Sequence, residues 1–288
     1  MRIALCFRGQ TGFSANWTGP KRLPLDPRIG YNFHNITVIQ PNALAGHQVD
    51  IFLHSWSVDK KDQLLQYYQP KKHLIEEQIP FETQRSTEDG FSERQVKSEF
   101  AMISSLSSAK KVINLKSQVE KEEGFTYDAV MLLRYDVTLH PENIRLNMQK
   151  YDMNCFYYNR NEDYDKKRKS DSYVLDYWFF TNSNWMNEYG KMADLLLEKY
   201  DTILDKDDKR GGRSSIHRMQ MDHIKSFAGS KRKALFGFDD IVFCRNPNKK
   251  AGFGDPTARK RLLHNFANPL PHAGTVRSES SSKVRKTK

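Results

Sequence analysis

Cysteine, long apolar runs and short catalytic signatures are all scarce in this chain, and each scarcity removes a class of protein. Three cysteines, Cys6, Cys155 and Cys244, are spread over 288 residues. Each lies in an apolar, strand-like stretch where a small hydrophobe would serve, so buried reduced thiols are expected rather than a disulfide framework. The opening Met1-Arg-Ile-Ala-Leu-Cys-Phe7 holds one charge and an apolar run well short of a signal peptide or membrane span. A cytoplasmic protein with no membrane span is the expectation. Gly-x-x-x-x-Gly-Lys-Ser/Thr, His-Glu-x-x-His, Gly-x-Ser-x-Gly and Cys-x-x-Cys do not occur. Their absence argues against a P-loop enzyme, a zincin, an α/β-hydrolase and a zinc module.

The chain does have charge, and it is unevenly placed. From Gly229 to Lys288 there are 14 Lys or Arg against 4 Asp or Glu, a net of +10. The totals are 46 and 35, so the preceding residues hold 32 bases and 31 acids and are nearly neutral. A basic end suits a polyanionic partner such as nucleic acid, or else a solvated tail. Beyond Asn246 the composition turns to Pro, Gly, Ser, Lys and Arg. The expected organisation is therefore one domain over residues 1–246 and a basic extension over 247–288.

Along the first 246 residues, strand-like and helix-like stretches alternate. Arg2 to Phe7 reads as a short buried strand, followed by the turn Arg8-Gly9-Gln10-Thr11-Gly12. Ser14 to Tyr31, broken by Gly19, Pro20, Pro24, Pro27 and Gly30, reads as a long surface loop. Strands are expected over Val49 to Trp56, near Lys72 to Ile75, over Met153 to Tyr158 and over Val174 to Phe180. Helices are expected over Ser92 to Glu123, Asn184 to Tyr200 and Ser214 to Phe227, with a strand pair or hairpin over Leu235 to Arg245. This is an α/β pattern.

The most informative stretch is Tyr127-Asp-Ala-Val-Met-Leu-Leu-Arg-Tyr-Asp136. Its apolar run predicts a strand buried on both faces, and Asp136 then falls at the carboxyl end. In open α/β sheets ligands bind outside the strand carboxyl ends, so a carboxylate delivered there can hold a metal or a ligand hydroxyl. A turn-forming Asp is the plain alternative.

Ile3-Ala-Leu-Cys-Phe-Arg-Gly-Gln10, Asp50-Ile-Phe-Leu-His-Ser-Trp56, the Ser-rich helix running into Gly124-Phe-Thr-Tyr-Asp-Ala-Val-Met-Leu-Leu-Arg-Tyr-Asp136, and Asp176-Tyr-Trp-Phe-Phe180 together resemble, in order and spacing, a diffuse group of viral and bacterial glycosyltransferases of the GT-A type. The resemblance implies a single Rossmann-like mixed sheet flanked by helices that binds a nucleotide-sugar donor. It also implies a divalent metal, Mn or Mg, on the donor diphosphate, with Asp136 at the matching position. Where that group generally has Asp-x-Asp, this chain has Arg134-Tyr135-Asp136.

On that reading Arg8, Gly9, Gln10, Asp50, His54, Arg134, Asp136 and Arg213 are donor-binding candidates. Asp176 is the candidate acceptor-facing base, working with Asp136, and His223 is a second metal-ligand candidate. His223 also shares an apolar stripe with Ile216, Met219 and Phe227, which suits a packed histidine. The acceptor is a glycan or a nucleic acid, the latter reached through the basic end and including modified DNA. A metal-dependent nucleotidyltransferase and a non-catalytic nucleic-acid-binding module remain the alternatives.

Overall fold

The protein is described from a computed structural model, which covers residues 1–11, 26–83, 86–159, 174–198, 213–236 and 240–244. The apolar runs form a seven-stranded mixed sheet in the order β3-β2-β1-β4-β7-β6-β8. Its strands are β1 (Arg2–Gly9), β2 (Gln48–Ser55), β3 (Lys72–Ile75), β4 (Ala129–Arg134), β6 (Phe156–Asn159), β7 (Leu175–Thr181) and β8 (Arg232–Leu235). β1 to β4 are mutually parallel, whereas β7 runs antiparallel to both β4 and β6. The expected single α/β sheet is present, with one strand reversed inside it.

Alternation along the strands assigns each side chain to one of two helical layers. Ile3, Leu5 and Phe7 of β1 join Met131 and Leu133 of β4 on one face, against Tyr31, Val38 and Ile39 and against Leu64 and Tyr68. The first three belong to α1 (Pro27–His34) and the five-residue π turn Asn35–Ile39 that leads into α2 (Gln40–Leu44); the last two belong to α3 (Lys61–Tyr68). Ala4, Cys6, Val130 and Leu132 face the other way. They pack on α4 (Glu93–Glu123), α5 (Ser183–Gly190) and α7 (Arg213–Ala228), and α6 (Met192–Glu198) adds to the α4 contact through Met192 and Leu196. All three cysteines are buried, and no disulfide joins them among the described residues.

Several boundaries differ from expectation. The helix α1 starts at Pro27, inside the stretch expected to be loop, because proline at the first helical position gives up an N–H that no helix uses. Asp26 caps it, accepting from the Arg28 N–H at 2.9 Å. The helix expected over Asn184 to Tyr200 is two, α5 and α6. The strand pair or hairpin expected over Leu235 to Arg245 is not seen among the described residues: β8 pairs with β6, whereas β9 (Ile241–Phe243) pairs with β5 (Val137–Leu139) in a separate two-stranded sheet. Residues 12–25 and 247–288, with most of the expected surface loop and the whole basic extension, lie outside the described residues. Among the described residues no helix is long and apolar enough to cross a membrane.

Candidate functional site

The strand order places β2 and β3 on one side of β1 and β4 on the other, so the chain changes direction between β1 and β4. In such sheets the crevice at the carboxyl ends beside that switch is where ligands lodge. In register, Arg8 of β1 lies opposite His54 of β2 and Arg134 of β4, which puts the three in one row at this edge.

Two guanidiniums facing each other across adjacent strands repel unless anions separate them. Asp176, one strand further along on β7, does so. Arg8 donates from Nη2 to the Asp176 carbonyl at 2.8 Å and to its carboxylate at 3.4 Å, while Arg134 Nη1 donates to the other carboxylate oxygen at 3.3 Å. Arg8 Nη1 also reaches Ser105 of α4, through both the carbonyl and the hydroxyl, and the Ser105 hydroxyl donates to Asp176 at 3.2 Å. Asp136 closes the network with a two-point ion pair. Arg134 Nε and Nη2 donate to its two oxygens, each at 2.9 Å. Burial works to raise the Asp176 pKa, but the Arg134 and Arg8 charges outweigh it and hold the carboxyl well below the usual range. For Arg134 burial opposes the charge, and Asp136 and Asp176 more than restore it.

The turn after Arg8 is fixed from a second direction. Gly9 has a φ of +98°, a conformation that L side chains rarely adopt, and its N–H donates to the Ser108 hydroxyl at 2.8 Å. His54, fully buried, lies 2.6 Å from that hydroxyl through Nδ1 and 3.3 Å from Glu76 through Nε2. With Glu76 accepting, Nε2 carries the proton and Nδ1 accepts from Ser108. Burial lowers the His54 pKa to about 4, despite the Glu76 hydrogen bond, so the ring is neutral near pH 7. Thr11 donates its N–H to the Ser57 hydroxyl at 3.0 Å. Gly30 of α1 lets the helix press on the Tyr135-Asp136 turn: a Cβ there would stand 2.8 Å from the Tyr135 carbonyl oxygen.

The structure therefore gathers Arg8, Gly9, His54, Arg134, Asp136 and Asp176 at one edge, with Gln10 next in the chain. Other expected residues lie elsewhere. Asp50 sits toward the amino end of β2, four residues or roughly 13 Å below His54. There it pairs with Lys71 at 3.1 Å and accepts from the Tyr127 hydroxyl at 2.6 Å. His223 lies about 9 Å along α7 from His217, whose charge is felt at Asp176. Its Nε2 bonds to the Glu188 carbonyl at 2.8 Å and its ring packs edge-on to Phe227, which is the packed-histidine alternative. Arg213 begins α7, and its side chain lies outside the description. Sequence reasoning missed Ser105 and Ser108, although paired serines inside a long helix are a usable signal. Set three apart, they share the face turned to β1.

The residues present do not fit the divalent metal that the resemblance implies. Both Asp136 oxygens already accept from one guanidinium, and among the described residues no three His, Cys, Asp or Glu side chains converge. An ion about 2.1 Å from an Asp136 oxygen would stand within about 5 Å of Arg134, a repulsion of about 7 kcal/mol at an effective dielectric near 20.

No family model and no curated protein sequence matches the chain. Among solved structures it is similar to a provisionally named nucleotide-diphospho-sugar transferase from Desulfovibrio desulfuricans G20. The match covers 92% of this chain and 97% of that one, at 13% identity and a TM-score of 0.41. The functional reading stands on the edge geometry instead.

Proposed function

We propose that this protein is a glycosyltransferase that binds the diphosphate of a nucleotide-sugar donor in the crevice between the carboxyl ends of β1 and β4. The observation that carries the reading is the ordered arginine pair at the switch point of the sheet, beside a glycine turn. A guanidinium has five N–H donors, and the carboxylates take three from Arg134, which leaves two for an oxyanion. The Arg134 side chain is 20% exposed, enough to meet a ligand from the crevice.

Asp136 and Asp176 hold that guanidinium in place before any ligand arrives, and such preorganisation is the larger part of electrostatic catalysis. Asp176 is not suited to the base role expected of it. A carboxylate held ionised by two arginines accepts a proton poorly, since an effective base has a pKa near the working pH. Its role here is to position both arginines. The charge split of the chain supports a polyanionic acceptor, nucleic acid or an acidic glycan, held by the basic extension.

The test is a panel of nucleotide sugars, incubated with the protein with and without Mn²⁺, and assayed for released nucleoside diphosphate. Release from one donor class is expected. No release from any donor in either condition refutes the proposal.

A further inference from the structure

We infer that the donor's leaving group is neutralised by Arg134 itself and that sugar transfer in this protein needs no divalent cation. The inference rests on the nucleotide-sugar reading above and concerns how that same site handles charge. Asp136, the carboxylate at the position where a metal is expected, already accepts from Arg134 through both of its oxygens, and Asp176 accepts from Arg134, Arg8 and Ser105. The two arginines and two aspartates sum to zero charge, so the crevice has no excess of carboxylate with which to collect a free cation. It offers N–H donors instead. Two remain on Arg134, whose side chain is 20% exposed.

During transfer the bond between the anomeric carbon and the diphosphate oxygen breaks and its electron pair stays on that oxygen. The acceptor oxygen bonds to the anomeric carbon, and the acceptor proton passes to water. The growing charge on the diphosphate falls to the free N–H groups of Arg134, a fixed cation already held at the carboxyl end of β4. Arginine supplies planar, two-point donation that a lysine cannot reproduce.

The test uses the full chain and a panel of nucleoside diphosphates, with affinity measured by calorimetry in excess EDTA and again in Mn²⁺. The expected result is one nucleoside diphosphate bound with the same affinity in both. Binding that appears only with Mn²⁺ overturns the inference while leaving the donor reading intact, and no binding in either condition overturns both. Two variants, each checked for folding by circular dichroism, complete the test. Arg134→Lys is expected to weaken binding in EDTA by roughly 10-fold or more. Arg134→Asp restores paired carboxylates two residues apart, and is expected to lose binding in EDTA and regain it with Mn²⁺. Wild-type affinity of either variant in EDTA overturns the inference.

Discussion

Two buried histidines make the stability of this fold depend on pH in a window that its shifted carboxylates do not reach. Burial lowers His34 and His54 from 6.5 to about 4 each, against the opposing pull of the Val137 carbonyl and Asp136 in one case and of Glu76 in the other. Both rings are wedged between two partners in the neutral form. His34 lies 3.0 Å from the Tyr68 hydroxyl and 3.2 Å from the Val137 carbonyl oxygen, which can only accept.

Because the folded pKa lies below the unfolded one, the unfolded chain takes up protons first as the pH falls. Stability is therefore full above pH 6.5, declines as the pH drops toward 4, and loses nothing further to these groups below that. At about 1.4 kcal/mol per pKa unit, each ring accounts for about 3 kcal/mol. The two together approach about 7 kcal/mol, against a typical domain stability of about 5–15 kcal/mol. The lowered carboxylates Glu76 and Asp176 exert their effect only below their ordinary pKa of 4.5 and 3.8. Urea unfolding at a series of pH values should give a slope of about 3 kcal/mol per pH unit between 6 and 4.5, two protons' worth. His34→Gln and His54→Gln should each halve it. A free energy of unfolding that stays level from pH 7 to 4.5 would refute the reasoning. Turnover of the folded protein should fall only as the pH approaches 4, where His54 itself takes a proton, no longer accepts from Ser108, and the hydroxyl that holds Gly9 must turn.

Asp136→Asn should lower the unfolding free energy by about 2 kcal/mol, because one charge-assisted bond to Arg134 becomes a donor facing a donor. Donor turnover should fall at least roughly 10-fold with it, and unchanged turnover would remove the Asp136 pair from the site. Gly30→Ala should displace the Tyr135-Asp136 turn, since its Cβ would meet backbone rather than a yielding side chain. Reduced kcat and a lower melting temperature are the expected readings. His223→Gln should leave metal response and turnover unchanged, because the ring is a packing group bonded to the Glu188 carbonyl. Deleting residues 247–288 should weaken binding of a polyanionic acceptor most at low salt, and equal binding before and after would discard that acceptor class.

The strands that build the site edge were legible because burial on both faces leaves a continuous apolar run, as in Ala129 to Leu133. The long helix α4 was legible from its periodicity, and its last turn runs close to Gly124 as expected. Local pattern fails where tertiary pairing decides. Nothing between Arg232 and Phe243 says that β8 and β9 join different sheets, because pairing is chosen by partners about 80 and 100 residues away. Proline and glycine misled at α1 for a related reason. Pro27 sits where a missing N–H is harmless, and Gly30 is there for the close approach of a turn more than a hundred residues on.

The substitution of arginine for the first acid of Asp-x-Asp was visible from the start, and its consequence was within reach of the strand period. Residues two apart on a continuing strand share a face, which already set Arg134 beside Asp136, although β4 ends at Arg134 and the pair forms across the Tyr135-Asp136 turn. The sequence did not show that a second carboxylate from a reversed strand would take the far side of the same guanidinium, or that Arg8 would take that carboxylate in turn. With only Asp136 in place, Arg134 could swing aside and leave one acid for a cation. Anchored between Asp136 and Asp176, it cannot leave without giving up its bonds to two carboxylates that are mostly buried. The reversal of β7 is thus what fixes the Arg134 guanidinium, with its remaining N–H donors, at the position where the resemblance implies a metal-binding acid.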